Sequence, residues 1–273
     1  MKIVAVVVTY NRLNCLKELL SSLKEQTYSN FEILIVNNNS TDGTSEWLNE
    51  NKGEFTVLHK SNDGCSGGMY AGYKYAIEKL AADYIWCMDD DGLPTPDCLR
   101  SLVTSKVFQE VPNVVVGSVV VSKDDTSKLS FSIPKLNTYN RILDNYKETT
   151  DSVDYITENG DAYGYPWGMF FNSVLLPTVV LNKVGLPKKE MFIWGDEVEY
   201  FYRIRKSGFQ TYLIKESLFL HPKAQPDTVV AWKEKYQFRN YCFIDKVYKK
   251  NFALRTLKKV HYITINRKWY LFK

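Results

Sequence analysis

Four short apolar runs rich in β-branched and aromatic residues, at 3–8, 31–36, 55–59 and 84–88, recur along the first third of the chain with room for a helix in each gap. The first gap holds leucines at 13, 16, 19, 20 and 23, a stripe of helical period over 13–24. Residues 41–49 and 69–80 read as two further helices. Runs that are apolar without alternation belong to strands buried on both faces of a parallel sheet. Parallel neighbours need right-handed crossovers, so the pattern predicts an open, doubly wound α/β sheet whose ligands sit at the carboxyl ends of the strands. A length of 273 residues allows one large domain, or one domain with a smaller tail. The hydrophobic share of 45% and charged share of 24% exclude a disordered or collagen-like chain.

Beyond the fourth run the pattern continues with a helix over 97–108 and a strand over 113–121. Residues 122–160 are polar and weakly periodic, and read as an insertion or an acceptor-side flap. Order returns at 163–171, followed by a helix over 174–184, a helix over 196–206 and a strand over 210–214. From residue 229 two basic, aromatic-rich helices are expected. No repeat or low-complexity tract is present.

The chemistry concentrates at five places. Asp89, Asp90 and Asp91 follow the apolar strand Tyr-Ile-Trp-Cys-Met and precede Gly92 and Pro94, which puts three carboxylates on a tight loop at the strand's carboxyl end. Adjacent carboxylates repel, and such a cluster persists where a cation or hydrogen-bond donors offset that cost. Hard oxygen ligands of this kind suit Mg²⁺ or Mn²⁺, which share their coordination with substrate phosphates. In Phe-Ile-Trp-Gly-Asp-Glu-Val-Glu-Tyr (192–200), Asp196, Glu197 and Glu199 crowd a helix start, where the helix dipole favours negative charge. Asp196 suits an N-cap and Glu199 pairs with Arg203 one turn on, which leaves Glu197 free to act as a general base on a hydroxyl. His221, in Leu-His-Pro, is either a packed histidine or a nitrogen ligand completing the metal set. The stretch 62–72, with Asn62 and Gly67, is a glycine-rich loop whose backbone N–H groups are able to face phosphate or sugar oxygens. It lacks the Lys-Ser/Thr ending of a nucleotide-triphosphate loop. Finally, the loops 9–12 and 37–43 lie at one sheet edge, where amide and hydroxyl groups read a base and Tyr10 stacks, or where Asn11 and Ser40 simply cap helices.

Nine of the 35 Lys and Arg fall within 246–273, which contains no Asp or Glu, so residues 1–245 carry 26 cations against 31 carboxylates. An acidic body with a basic tail points to an anionic partner for the tail. The five cysteines form no Cys-x-x-Cys pair, which favours reduced thiols in a cytosolic setting. The opening residues lack a secretory layout and read as the first strand. The longest largely apolar stretch, 167–181, is too short and too interrupted to span a bilayer.

Taken in order, Val-Thr-Tyr-Asn-Arg, Asn-Asn-Ser-Thr-Asp-Gly-Thr, Asn-x-Gly-x-x-Gly-Gly, Met-Asp-Asp-Asp, Trp-Gly-Asp-Glu-Val-Glu-Tyr and Leu-His-Pro resemble the family 2 glycosyltransferases of GT-A fold, in the branch containing rhamnosyl- and galactofuranosyltransferases. The resemblance spans residues 1–222. It implies a nucleotide-sugar-binding half at 1–121, an acceptor and catalytic half at 122–222, and a basic helical extension at 223–273. It further implies a Rossmann-like, mostly parallel sheet with flanking helices. By the same resemblance Thr9, Tyr10 and Arg12 border the nucleoside with Asn38 and Asp42 near it, Asn62, Gly67 and Asp90 contribute to the donor site, and Trp194 lines the acceptor cleft. Asp89, Asp91 and His221 hold Mn²⁺ or Mg²⁺, and Glu197 is the base with Asp196 as the alternative. Asn37 replaces the Asp that usually begins the second-strand loop, which leaves uridine and thymidine both open. The activity implied is inverting transfer of galactofuranose, rhamnose or another hexose from a UDP- or dTDP-sugar to a hydroxyl of a lipid-linked glycan in bacterial capsule or O-antigen assembly. The enzyme would sit on the inner face of the cell membrane through 246–273. Nucleic acid is not an expected partner, and self-association is left open. A nucleotidyltransferase and a non-catalytic nucleotide-sugar-binding protein are the alternatives. The first would want a Gly- and Lys/Arg-bearing loop after strand one, and the second gives no reason for Glu197 and His221 to accompany the acidic triplet.

Overall fold

A computed structural model describes residues 1–136, 148–223 and 231–248, with Leu257, Val260 and Thr264 beyond them. Strand β1 (Ile3–Thr9), helix α1 (Leu13–Lys24), β2 (Phe31–Asn37), α2 (Thr44–Glu50), β3 (Thr56–His59), α3 (Gly64–Glu78) and β4 (Tyr84–Asp89) follow the predicted alternation. The four strands are parallel, in the order β3-β2-β1-β4. Alternate side chains of β1 feed two cores. Ile3, Ala5 and Val7 pack with the leucines of α1, and Val4, Val6 and Val8 pack with Met69, Tyr73 and Ala76 of α3.

The glycine-rich stretch departs from its reading as a loop. Helix α3 begins at Gly64, five residues before the expected start, and its glycines serve packing. A Cβ at Gly68 would lie 2.4 Å from a Val8 methyl, and one at Gly72 would lie 2.5 Å from a Val6 methyl. Only a helix face without side chains comes that close to β1.

The second half runs β5 (Leu93–Pro94), α4 (Cys98–Thr104), α5 (Lys106–Glu110), β6 (Val115–Ser122), β7 (Lys128–Pro134), β8 (Thr149–Ser152), α6 (Val153–Asn159), β9 (Asn172–Pro177), α7 (Thr178–Val184), a 3₁₀ turn at Lys189–Met191, α8 (Asp196–Lys206), β10 (Thr211–His221) and α9 (Ala231–Tyr248). The sheet continues as β4-β9-β6-β10-β5, with β9 antiparallel to both neighbours and β10 parallel to β6. The predicted helix over 174–184 is half wrong: Val174, Leu175 and Leu176 are strand, wholly buried between β4 and β6. A short apolar run carries no period that separates strand from helix, and the vacant sheet position decided it. The single helix expected over 97–108 is broken at Ser105, whose extended backbone (ψ 143°) separates α4 from α5. Within 122–160, β7, β8 and α6 are ordered, and 137–147 lies outside the described residues. Of the two C-terminal helices expected, α9 is present and most of the remainder lies outside the described residues. Among the described residues no helix is long and apolar enough to cross a membrane.

Candidate active site

Register alone brings the first parts of the site together. Thr9 ends β1 opposite Asn37 of β2, and Val8 pairs with Asp89 of β4, so the loops that follow leave the sheet side by side. The Thr9 hydroxyl donates to Asp90 Oδ2 (2.6 Å), and Arg12 Nη1 bonds Asp90 Oδ1 (3.2 Å) and Asp91 Oδ2 (2.6 Å). His221, the last residue of β10, places Nε2 3.1 Å from Asp91 Oδ1 and Nδ1 2.7 Å from the Pro222 carbonyl. Each nitrogen faces an acceptor. Burial works against the charged ring, but the Asp91 contact outweighs it and raises the histidine's pKa.

The three aspartates divide sharply. Burial, then the charges of Asp91 and Asp90, push Asp89 up to about 7. Burial also dominates at Asp90, and Arg12 and Thr9 pull it back only to about 6. At Asp91 the desolvation is overcome by His221 and Arg12, leaving it at about 2. The cluster therefore carries more acid than its neighbours neutralise.

Among the described residues no three His, Cys, Asp or Glu side chains converge as a ready-made cation cage. The expected trio of Asp89, Asp91 and His221 is not closed: Asp91 and His221 engage each other, and Asp89 accepts from the Cys65 thiol at 3.4 Å. The donor set itself, hard oxygens plus an imidazole nitrogen, fits Mn²⁺ or Mg²⁺, ions usually held by one or two carboxylates together with substrate phosphates.

Across the cleft stands the first turn of α8. The preceding loop is backbone-strained: Phe192 (φ 67°), Trp194 (φ 56°) and Gly195 (φ 92°) all lie in the left-handed region. Non-glycine residues held there cost about 1–3 kcal/mol each, so the surroundings must hold them. Asn240 of α9 does so, its side-chain amide lying 2.9, 3.0 and 2.8 Å from the carbonyls of Met191, Ile193 and Trp194. The Phe192 ring stacks on Tyr236 at 4.8 Å, and its carbonyl accepts from the Ser66 N–H (3.2 Å). The Gly195 N–H bonds Glu197 Oε2 at 2.9 Å, which aims that carboxylate. Asp196 is 3% exposed and its Oδ2 has no hydrogen-bond partner. Burial first, and the neighbouring Glu197 charge second, raise its pKa well above the carboxylate range.

Thr9, Tyr10, Arg12, Asn38, Asn62, Asp89, Asp90, Asp91, Trp194, Asp196, Glu197 and His221 all line one cleft of about 840 Å³. Asp42 and Gly67 do not. The Asp42 carboxylate accepts from the N–H of Leu13 (3.0 Å) and of Thr44 (3.2 Å), capping two helices at once. Gly67 sits inside α3, where a Cβ would collide with the Asp63 carboxylate 2.0 Å away. Asn11 and Ser40, whose simpler reading is as helix caps, instead join their two loops, through Asn11 N to Ser40 Oγ (3.0 Å) and Thr41 N to Asn11 Oδ1 (2.7 Å). The sequence reading misses Cys65, Phe131, Trp167, Trp232, Lys233 and Tyr241 as lining residues. Cys65 occupies an unassigned position of the 62–68 motif, the others lie in no recognisable motif, and the last three come from α9, in the extension for which only a membrane-facing role is expected.

Residues 4–166 match the family model described as glycosyl transferase family 2. The galactofuranosyltransferase GlfT1 of Mycolicibacterium smegmatis is 27% identical over 219 residues, covering 80% of this chain and 70% of that protein. The glycosyltransferase GlyA of Streptococcus pneumoniae serotype 4 is 24% identical over 76% of this chain, which spans only 31% of that protein. Two solved structures share the fold. The mannosyltransferase PcManGT from Pyrobaculum calidifontis, in complex with GDP-Man and Mn²⁺, gives a TM-score of 0.56 at 15% identity over 88% of this chain and 61% of that one. GalNAc-T7 with UDP, GalNAc and Mn²⁺ gives 0.68 at 14% identity over 93% and 49%.

Proposed function

Since the chain belongs to glycosyl transferase family 2 and is a transferase of GT-A fold, we propose that it moves a hexose from a UDP- or dTDP-sugar to an acceptor hydroxyl with inversion at the anomeric carbon. The observation that carries this reading is the shared cleft, with the 9–12 loop, the aspartate triplet and His221 on one side and the Asp196–Glu197 pair on the other.

Thr9, Tyr10, Arg12, Asn38 and Asn62 form the nucleotide side. The exposed Tyr10 ring is free to stack on a base. Asp89, Asp91 and His221 would hold a divalent cation, which when bound supplies positive charge beside the departing diphosphate. Arg12, already between Asp90 and Asp91, holds those carboxylates in place. Glu197 receives the acceptor's proton as the hydroxyl attacks opposite the leaving group, and its own orientation is set by the Gly195 N–H. Asp196, kept protonated by burial, stays neutral beside it. Galactofuranose is one candidate sugar because a galactofuranosyltransferase is among the relatives. A glycan acceptor, lipid-linked and destined for a bacterial surface polysaccharide, fits the same reading.

Thermal-shift screening of UDP- and dTDP-sugars tests the proposal. A true donor at a hundredfold excess over its Kd raises Tm by about 5–10 °C, with the rise dependent on Mn²⁺, and hydrolysis of the hit follows. A metal-independent shift, or none with any nucleotide sugar, would overturn it.

The basic segment 246–273 supports peripheral attachment to an anionic leaflet, at about 1 kcal/mol for each Lys or Arg near the surface. Flotation with anionic vesicles should retain the full chain and lose a truncation after Tyr248, which leaves α9 whole. Equal retention of both removes the idea.

A further inference from the structure

The acceptor side of the cleft contains a cation that the transfer chemistry leaves unused. Arg12 is committed to Asp90 and Asp91, and His221 to Asp91. Lys233, on the first turn of α9, lies over two indole faces. Its Nζ is 5.5 Å from the centre of the Trp194 ring and 5.7 Å from that of Trp232. All three residues line the same cleft as Asp196 and Glu197. Trp232 is 47% exposed, an unusual degree for an indole, and Tyr236 meets it edge-on at 6.1 Å and Phe192 at 6.3 Å.

Indole faces bind the apolar face of a pyranose or furanose ring, and an ammonium held over them stays partly dehydrated, so it gains more from an anion than a solvated lysine does. The facing side of the cleft carries Asp89, Asp90 and Asp91, and Glu197 stands on the same side as the indoles, so a negatively charged ligand is repelled unless a positive group meets it. We propose that Trp194, Trp232 and Lys233 form a subsite for a saccharide bearing a negative charge, either a phosphate or a uronate carboxylate, with the ring on the indoles and the anion on Lys233. This subsite rests on the glycosyltransferase reading and specifies its acceptor as an anionic glycan.

The test uses the full chain with its nucleotide half filled by UDP or dTDP, whichever raises Tm, so that phosphate probes cannot enter there. Galactose 6-phosphate, glucuronate and galactose are then titrated by ligand-observed NMR. Both charged sugars, or one of them, bind about tenfold or more tightly than galactose, as a charged hydrogen bond would give. The favoured one identifies the source of the anion. Lys233→Met removes that preference and leaves galactose unchanged, Lys233→Arg retains it, and Trp232→Ala weakens every sugar. The nucleotide-induced Tm rise, measured on each variant, shows that fold and donor site survive. Equal binding of charged and neutral sugars, no binding of the charged ones, or a preference that persists in Lys233→Met overturns the subsite. Failure of any nucleotide to raise the wild-type Tm instead overturns the reading beneath it.

Discussion

Glu197→Gln lowers the turnover of sugar transfer by about 10²–10⁴-fold, the usual effect of removing a proton-transfer group, while nucleotide-sugar affinity stays as in the wild type. The substitution keeps the volume and an oxygen for the Gly195 N–H, so the α8 turn is preserved and the lost chemistry is the proton acceptor alone. Asp196→Asn separates the two carboxylates. Asp196 is buried and its raised pKa keeps it protonated, so an amide replaces it with little change in charge, and turnover survives. Its stability signature has a definite sign. A carboxyl whose pKa rises on folding favours the folded state most below the ordinary carboxylate range, and this contribution is lost as pH climbs toward the folded value. The wild type therefore loses stability relative to Asp196→Asn as pH rises, and thermal melts across that range read the divergence. Single-turnover rates and calorimetric donor affinities check the rest. A Glu197→Gln enzyme that turns over normally but binds donor poorly would show the base to be misassigned, and an inactive Asp196→Asn would move the role to Asp196.

Glu199→Ala should cost about 3–5 kcal/mol of unfolding free energy, the range for breaking a buried ion pair from one side. Glu199 is wholly buried, accepting from Lys188 Nζ (2.7 Å), Arg203 Nη2 (3.0 Å) and the Tyr248 hydroxyl (2.6 Å). Removing it strands two cations and a phenol in the wall that joins α8 to α9. Lys188 keeps 29% of its side chain in solvent and Arg203 16%, which places the expected loss toward the lower end. Because Tyr248 also stacks on Tyr202 at 5.9 Å, the damage extends to the seating of α9. Urea unfolding monitored by circular dichroism measures the effect. A loss below about 1 kcal/mol would mean that the network contributes no more than surface pairs do.

Much of the cleft wall built on β1 to β4 is legible in the amino-acid sequence. The period of apolar runs identifies β1 to β4, and the parallel arrangement they require places the 9–12 loop beside Asp89, Asp90 and Asp91. The position of Asp196 and Glu197 is legible because the acidic turn marks the start of α8, although the N-cap is Gly195 and not Asp196, which is the first helical residue. The glycines of α3 mislead for a physical reason: propensity scores them as loop, whereas Gly68 and Gly72 are needed where the helix approaches β1 to within a methyl's width. Asp42 misleads similarly, since a polar residue at a strand's end looks the same whether it faces a ligand or caps Leu13 and Thr44.

Local pattern thus determined the strand and helix alternation, the acidic loop at a strand's carboxyl end and the acidic start of α8, because backbone period and capping act over a few residues. Two features were decided by the tertiary structure alone: β9 inserted antiparallel between β4 and β6, and α9 turned into a wall of the cleft by Asn240, Trp232 and Lys233. Each depends on which distant surface remains to be covered once the parallel core has formed, and no local period encodes that.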